Sequence, residues 1–200
     1  MSCHVAVLAS GSGTDLQSIL DAEAAGTLHA SVRLVISNKP EAHALERARR
    51  AGKRAEHISV KTEGSDDAVA EKMLSLFAEE KIDLVVLAGY LKLIHPRIIQ
   101  KYRRRIINIH PALLPKFGGK GMYGMRVHEA VLEAGETVSG PTVHFVDEVY
   151  DHGTVIAQRT VPVFQQDTPE DLQARVLAVE HEILPETVAR LASGLLPLGE

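Results

Sequence analysis

Short apolar runs alternate with helix-period segments along most of the chain. His4–Ala9 is almost continuously apolar and stops at Ser10-Gly11-Ser12-Gly13, as a buried strand does when it runs into a glycine turn. Thr14–Ala25 places Leu16, Ile19, Leu20 and Ala24 at helical spacing, with Gly26 after it. Val32–Ile36 predicts a second strand, Glu41–Ala51 a helix stopped by Gly52, and Ala55–Val60 a weaker strand. Asp66–Glu80 is amphipathic, with Val69, Met73, Leu76 and Phe77 on one side. Leu84–Ala88 is the most apolar run and suits the centre of a parallel sheet covered on both faces. Pro96–Tyr102 predicts a short helix and Arg105–Ile109 a further strand. Pro111–Met125 is dense in glycine and proline and reads as irregular, ahead of a helix at Arg126–Ala134. Thr137–Val146 and Thr154–Val163 predict one late antiparallel pair joined by Asp147–Gly153, and Thr168–Leu191 a terminal helix kinked at Pro185.

This order predicts an α/β fold: a three-layer αβα sandwich with a mostly parallel open sheet and a late antiparallel strand pair. Ligands of such sheets bind beyond the carboxyl ends of the strands, here Ser10–Thr14, Gly89–Ile94 and Asn108–Pro111. A length of 200 residues is expected to form one domain, 1–200. Lys plus Arg number 22 against 26 for Asp plus Glu, a net charge of −4 that argues against a general nucleic-acid coat. The basic run Lys101–Arg105 is read as solvating a helix end. No stretch approaches the roughly 18–20 apolar residues of a membrane span. Val5–Ala9 lacks the length and basic leader of a signal peptide. The single cysteine, Cys3, cannot form an internal disulfide, which fits a cytoplasmic location.

Three segments hold candidate chemistry. Ser10–Asp15 joins a glycine turn to a helix start, whose free amides and positive dipole end suit a phosphate. It lacks the Gly-Lys-Ser/Thr of a Walker loop and the third glycine of a dinucleotide fingerprint, so a plain capped turn competes with anion binding. Asn108 and His110 stand two apart on a strand and so project to one side, a donor amide beside a proton-carrying imidazole. The competing reading is a strand-end histidine bonded to backbone. Asp147, Glu148 and Asp151 lie in the late loop, and one of them meeting His110 would raise its pKa and orient it; spacing does not choose among them. None of the ten histidines sits at a metal-ligand spacing, so no metal site is expected. His4, His29, His43, His57, His95 and His128 are expected on the surface or at element ends, and His181 is read as structural.

Taken together, Ser10-Gly11-Ser12-Gly13-Thr14, Leu87-Ala88-Gly89-Tyr90-Leu91, Asn108-Ile109-His110-Pro111-Ala112-Leu113-Leu114-Pro115 and Thr142-Val143-His144-Phe145-Val146 with Asp151-x-Gly153 resemble the formyltransferases that use 10-formyltetrahydrofolate. The resemblance covers essentially the whole chain and is narrowest to the branch that formylates phosphoribosylglycinamide. It implies that Asn108, His110 and Asp151 are catalytic, and it is the resemblance that selects Asp151. It implies that Gly11, Ser12, Gly13, Thr14, Asp15 and Glu180 hold the phosphoribosyl substrate. Leu91, Lys92, Leu93, Ile94, Asn108, Asp147 and Tyr150 would line the folate pocket. By the same resemblance, residues 1–100 would form the phosphoribosyl-binding half, and residues 101–200 the catalytic and folate-binding half. The implied cosubstrate is 10-formyltetrahydrofolate with no metal. The implied partners are two small molecules, with no nucleic acid or membrane, and a homodimer is left open. A formyltetrahydrofolate hydrolase, another formyltransferase and a non-catalytic folate- or nucleotide-binding module are the alternatives. Three residues depart from the family pattern: Asp15 stands where Asn is frequent, Asp66 near a usual basic residue, and Leu177 at an often polar position. A carboxylate at position 15 is unfavourable beside a phosphate unless it points away or caps the helix. Lys120 is a candidate for the missing cation.

Overall fold

A computed structural model describes residues 3–195; the extreme ends of the expected 1–200 unit lie outside the described residues. The first half runs β1 (Cys3–Leu8), α1 (Thr14–Ala24), β2 (Ala30–Ser37), α2 (His43–Arg50), β3 (Arg54–His57), α3 (Val60–Glu63), α4 (Asp66–Glu79), β4 (Leu84–Leu87) and α5 (Pro96–Lys101). The second runs β5 (Ile106–His110), α6 (Met125–Glu133), β6 (Val138–Ser139), β7 (Thr142–Phe145), β8 (Val155–Gln158), β9 (Val161–Pro162) and α7 (Pro169–Ala192). Seven strands form one sheet in the order β3-β2-β1-β4-β5-β7-β8, parallel from β3 through β5 and antiparallel for β7 and β8.

Strand alternation assigns each side chain to a layer. Val5, Val7, Leu84 and Val86 pack with Leu16, Ile19, Leu45, Leu184 and Val188 of α1, α2 and α7. Their neighbours Ala6, Leu8, Val85 and Leu87 pack with Met73, Leu76, Phe77, Ile98 and Tyr102 on the other face. Helices therefore cover both faces, as the apolar runs predict. α4 starts where the Ser65 hydroxyl accepts the Ala68 N–H, and α7 starts with a Thr168–Asp171 capping box. α7 continues as one helix through Pro185, which offers no N–H to the His181 carbonyl.

Two elements differ from the sequence expectation. The run Ala55–Val60 divides into β3 and the short helix α3, because Ser59 caps a new turn with Thr62. The expected late pair divides between two sheets: β7 and β8 stay in the main sheet, while β6 and β9 pair apart from it. The bend occurs at Gly140, with φ at +141°, where a β-carbon would lie 1.9 Å from the Arg159 carbonyl oxygen. Apolar patterning continues through such a corner and gives no warning of it.

Candidate active site

The chain winds outward from β1 to β2 and β3, then returns to place β4 on the other side of β1. The crevice between the ends of β1 and β4 is thus a topological switch point, where open α/β sheets take their ligands. Ser10 ties the two ends together: its N–H donates to the Gly89 carbonyl (3.0 Å), and its hydroxyl accepts the Leu91 N–H (2.9 Å). A cavity of about 650 Å³ opens there. Its wall includes Ser12, Thr14 and Asp15 after β1, Leu91–Ile94 after β4, Asn108 and His110 on β5, Asp147, Tyr150 and Asp151, and Glu180 on α7. Gly11 and Gly13 shape the first loop. Gly13 has φ at +69°, and a β-carbon there would come within 2.7 Å of Ala44 Cα. Glycine thus lets α2 press against the loop while Arg47 Nε donates to the Ser12 carbonyl (2.8 Å). A second cavity of about 640 Å³ shares Tyr90, Lys92, Leu93, Ile94 and Tyr150 with the first and includes Asp66.

Asn108, His110 and Asp151 meet in the first cavity. Asp151 sits in the turn after β7 with φ at +53°, a conformation that Asp tolerates better than bulkier residues. Its Oδ2 accepts the Gly119 N–H (2.9 Å) and lies 3.5 Å from His110 Nδ1. Its Oδ1 accepts from Asn108 Nδ2 (3.3 Å). Of the other two loop acids, Asp147 is engaged locally with Val149 N–H and His152. His144 is a member that spacing does not disclose. The β5–β7 register sets it directly opposite Asn108, and its Nε2 accepts from Asn108 Nδ2 (3.1 Å) because its Nδ1 donates to the Phe145 carbonyl (2.8 Å). Only knowledge of strand pairing would have found it.

Electrostatics revise one expectation. Burial pushes the His110 pKa down, and the opposing pull of Asp151 and of the Phe117 bond does not restore it. His110 is therefore neutral in the resting protein near pH 7, not held charged by Asp151. Its Nε2–H donates to the Phe117 carbonyl (2.8 Å), so an added proton goes to Nδ1, facing Asp151. Burial alone would raise Asp151, but the His144 and His110 rings and the Gly119 N–H outweigh it and hold the carboxyl below its ordinary value. His128, expected at the surface, is instead buried on α6 at the cavity. The helix's apolar face carries it inward, and burial together with the nearby His110 pushes its pKa down to about 4. Its Nδ1 has no hydrogen-bond partner among the described residues.

Asp15 does not cap α1, which has no side-chain cap; it points toward α7, with Oδ1 3.8 Å from His181 Nε2. Lys120 lines the same cavity. Among the described residues no group of three or more His, Cys, Asp or Glu is placed to hold a metal ion, and no helix is long and apolar enough to cross a membrane.

The model of the formyl transferase family matches residues 3–188. The chain belongs to that family. Family members use formyl-folate as the formyl source. The chain is 44% identical to a chloroplastic phosphoribosylglycinamide formyltransferase of Vigna unguiculata, over 94% of this chain and 60% of that protein. It is 38% identical to the phosphoribosylglycinamide formyltransferase of Escherichia coli, over 98% of this chain and 91% of that protein. The chain thus spans less than two thirds of the plant relative and nearly all of the bacterial one. Among solved structures, glycinamide ribonucleotide transformylase 1 from Symbiobacterium toebii superposes with a TM-score of 0.91 at 42% identity, covering 98% of this chain and 91% of that one. The formyltransferase fold thus agrees with the sandwich expected from strand and helix order.

Proposed function

We propose that the chain transfers the formyl group of 10-formyltetrahydrofolate to the amine of phosphoribosylglycinamide, a step of purine biosynthesis. The observation that carries this reading is the Asn108–His110–Asp151 constellation on a cavity that also receives the amino end of α1. In this reading Gly11–Asp15 and Glu180 hold the phosphoribosyl group, with Lys120 as a cation for it. Leu91–Ile94, Asn108, Asp147 and Tyr150 take the folate. The first hundred residues then bind mainly phosphoribosyl and the remainder mainly folate, with Leu91–Ile94, Lys120 and Glu180 crossing that division. The location proposed is cytoplasmic and the partners are small molecules.

The neutral amine attacks the formyl carbon, and the carbonyl electrons move onto its oxygen. The donors that border the cavity are the Asn108 amide and the Nε2–H of His110, which the Phe117 carbonyl holds at rest. Each donor that strengthens toward the oxyanion supplies roughly 3–4 kcal/mol of transition-state stabilisation. The attacking nitrogen then loses its proton, folate N10 gains one, and the bond from N10 to the formyl carbon breaks. Nδ1 of His110 is the relay site, because Asp151 stabilises the imidazolium formed in passing. No covalent enzyme intermediate is required.

His110→Ala should lower kcat at least ~100-fold with little change in KM for either substrate. A kcat within a few-fold of wild type would remove His110 from the chemistry. Folate release measured with and without phosphoribosylglycinamide separates a transferase from a hydrolase: release that ignores the amine would overturn the transfer reading.

A further inference from the structure

The cavity has a second titratable cluster, which the proposed chemistry does not use. Asp15 stands in the first turn of α1, while Glu180 and His181 are neighbours on α7, the helix packed against it. Glu180 is 7% exposed, and both carboxyl groups line the cavity beside Ser12 and Thr14. Asp15 Oδ1 and His181 Nε2 are buried 3.8 Å apart, and neither has a hydrogen-bond partner among the described residues. Buried polar atoms are nearly always paired, so these two orphans, one of them on a residue of the cavity wall, mark a place completed by a proton or a ligand.

We infer that the Asp15–Glu180 pair holds a proton when a phosphorylated ligand settles at the amino end of α1, so that ligand and proton bind together. This rests on the reading above that the loop receives the phosphoribosyl group. Two carboxyls withdrawn from water on the wall of one cavity resist both ionising, and a phosphate dianion brought to the same loop resists it further. The helix end offers only about half a positive charge to offset this. Other charged groups face the site from each packed element. His181 comes from α7, and Arg47 from α2, where it is tied to the Ser12 carbonyl and Gln17. Lys92, Lys120 and Arg126 line the cavity, and His110, His128 and Asp151 lie at its catalytic part. The cations set the strength of attraction for phosphate; the carboxyl pair sets how it depends on protons. Burial raises Asp15, with His181 in partial opposition, and burial plus the Asp15 charge carries Glu180 up to about 8. The shared proton is thus present at neutral pH and leaves in the mildly alkaline range.

Calorimetric titration of phosphoribosylglycinamide into wild type and Asp15→Asn tests this between pH 7.5 and 9.5. There the phosphate, with its second ionisation near ~6, stays a dianion. Each titration is run in two buffers of different ionisation heat to count protons. Wild type should take up protons on binding, and its Kd should rise above pH 8 by up to ~10-fold per unit. Asp15→Asn should take up fewer, with Kd changing less than ~3-fold over the range. Glu180→Gln should flatten the profile likewise, and it serves if Asp15→Asn does not fold. Equal proton uptake and equal slopes in wild type and variants overturn the inference. So does a wild-type Kd that is flat with pH, which leaves the substrate reading intact. No binding at any pH sinks the substrate reading and the linkage with it.

Discussion

Asp151 and Glu180 are carboxyl groups on the wall of one cavity, both largely withdrawn from water, yet the protein moves them in opposite directions. Asp151 is held below its ordinary pKa, whereas Glu180 is lifted to about 8. Burial acts upward on both. What differs is the company: Asp151 has the Gly119 N–H, the Asn108 amide and two imidazoles around it, while Glu180 has Asp15. Burial alone thus does not make a carboxyl basic; the polar and charged groups around it decide. On the proposed reading, one cavity thereby keeps a committed anion where a cation forms transiently, and a proton-holding pair where a phosphate lands.

Asp151→Asn keeps the shape and removes the charge that stabilises an imidazolium, so kcat should fall ~100- to 10,000-fold. Without that charge, His110 should titrate still lower, and the acid limb of the pH–rate profile should move down in pH. An unmoved acid limb would disconnect the two residues. The stability effects should have opposite signs. A carboxyl depressed in the fold contributes stability above its unfolded pKa and loses it as pH falls through the folded value, so Asp151→Asn should lower Tm at pH 7. A carboxyl raised in the fold binds an extra proton there, so its presence weakens the fold as pH rises from about 4 to 8. Glu180→Gln should therefore raise Tm at pH 8 by a few degrees, or ~1–2 kcal/mol for a chain of this size. Thermal melts of both variants at pH 5 and pH 8 check this, and a Glu180→Gln protein less stable than wild type at pH 8 would contradict it.

The first of these clusters was largely legible in the sequence and the second was not. Asn108 and His110 are two residues apart on one strand, so their shared side follows from backbone geometry alone. Asp151 lies about forty residues away. Its meeting with His110 depends on the β7 turn, and residue types in that turn left three acids equal until the family resemblance chose one. His144 belongs with them through β5–β7 register, which no local pattern encodes. The parallel half of the sheet was readable because each strand is a short apolar run bounded by glycine, proline or a cap. The split hairpin was not, because β6 and β7 continue one β-rich run across Gly140. The Asp15–Glu180 juxtaposition joins opposite ends of the chain and exists only once α1 packs on α7.

His128 sharpens the same lesson on a base. It is buried beside His110 with Nδ1 unpartnered, so burial and a like charge act together, with no carboxylate to oppose them, and carry it down to about 4. His110 also suffers burial but has Asp151 at 3.5 Å. A histidine depressed in the fold binds fewer protons than it does unfolded, so it weakens the fold as pH falls from about 6.5 toward 4. His128→Gln removes that titration while keeping a polar group of similar reach. Its Tm should match wild type within a degree or two at pH 8 and exceed it by ~2–4 °C at pH 5, equivalent to about 1 kcal/mol. The Tm difference between variant and wild type should grow steadily as the acid side is approached. A difference that is the same at pH 5 and pH 8 would mean that His128 titrates alike in the folded and unfolded chains, and that its neighbours do not decide its charge.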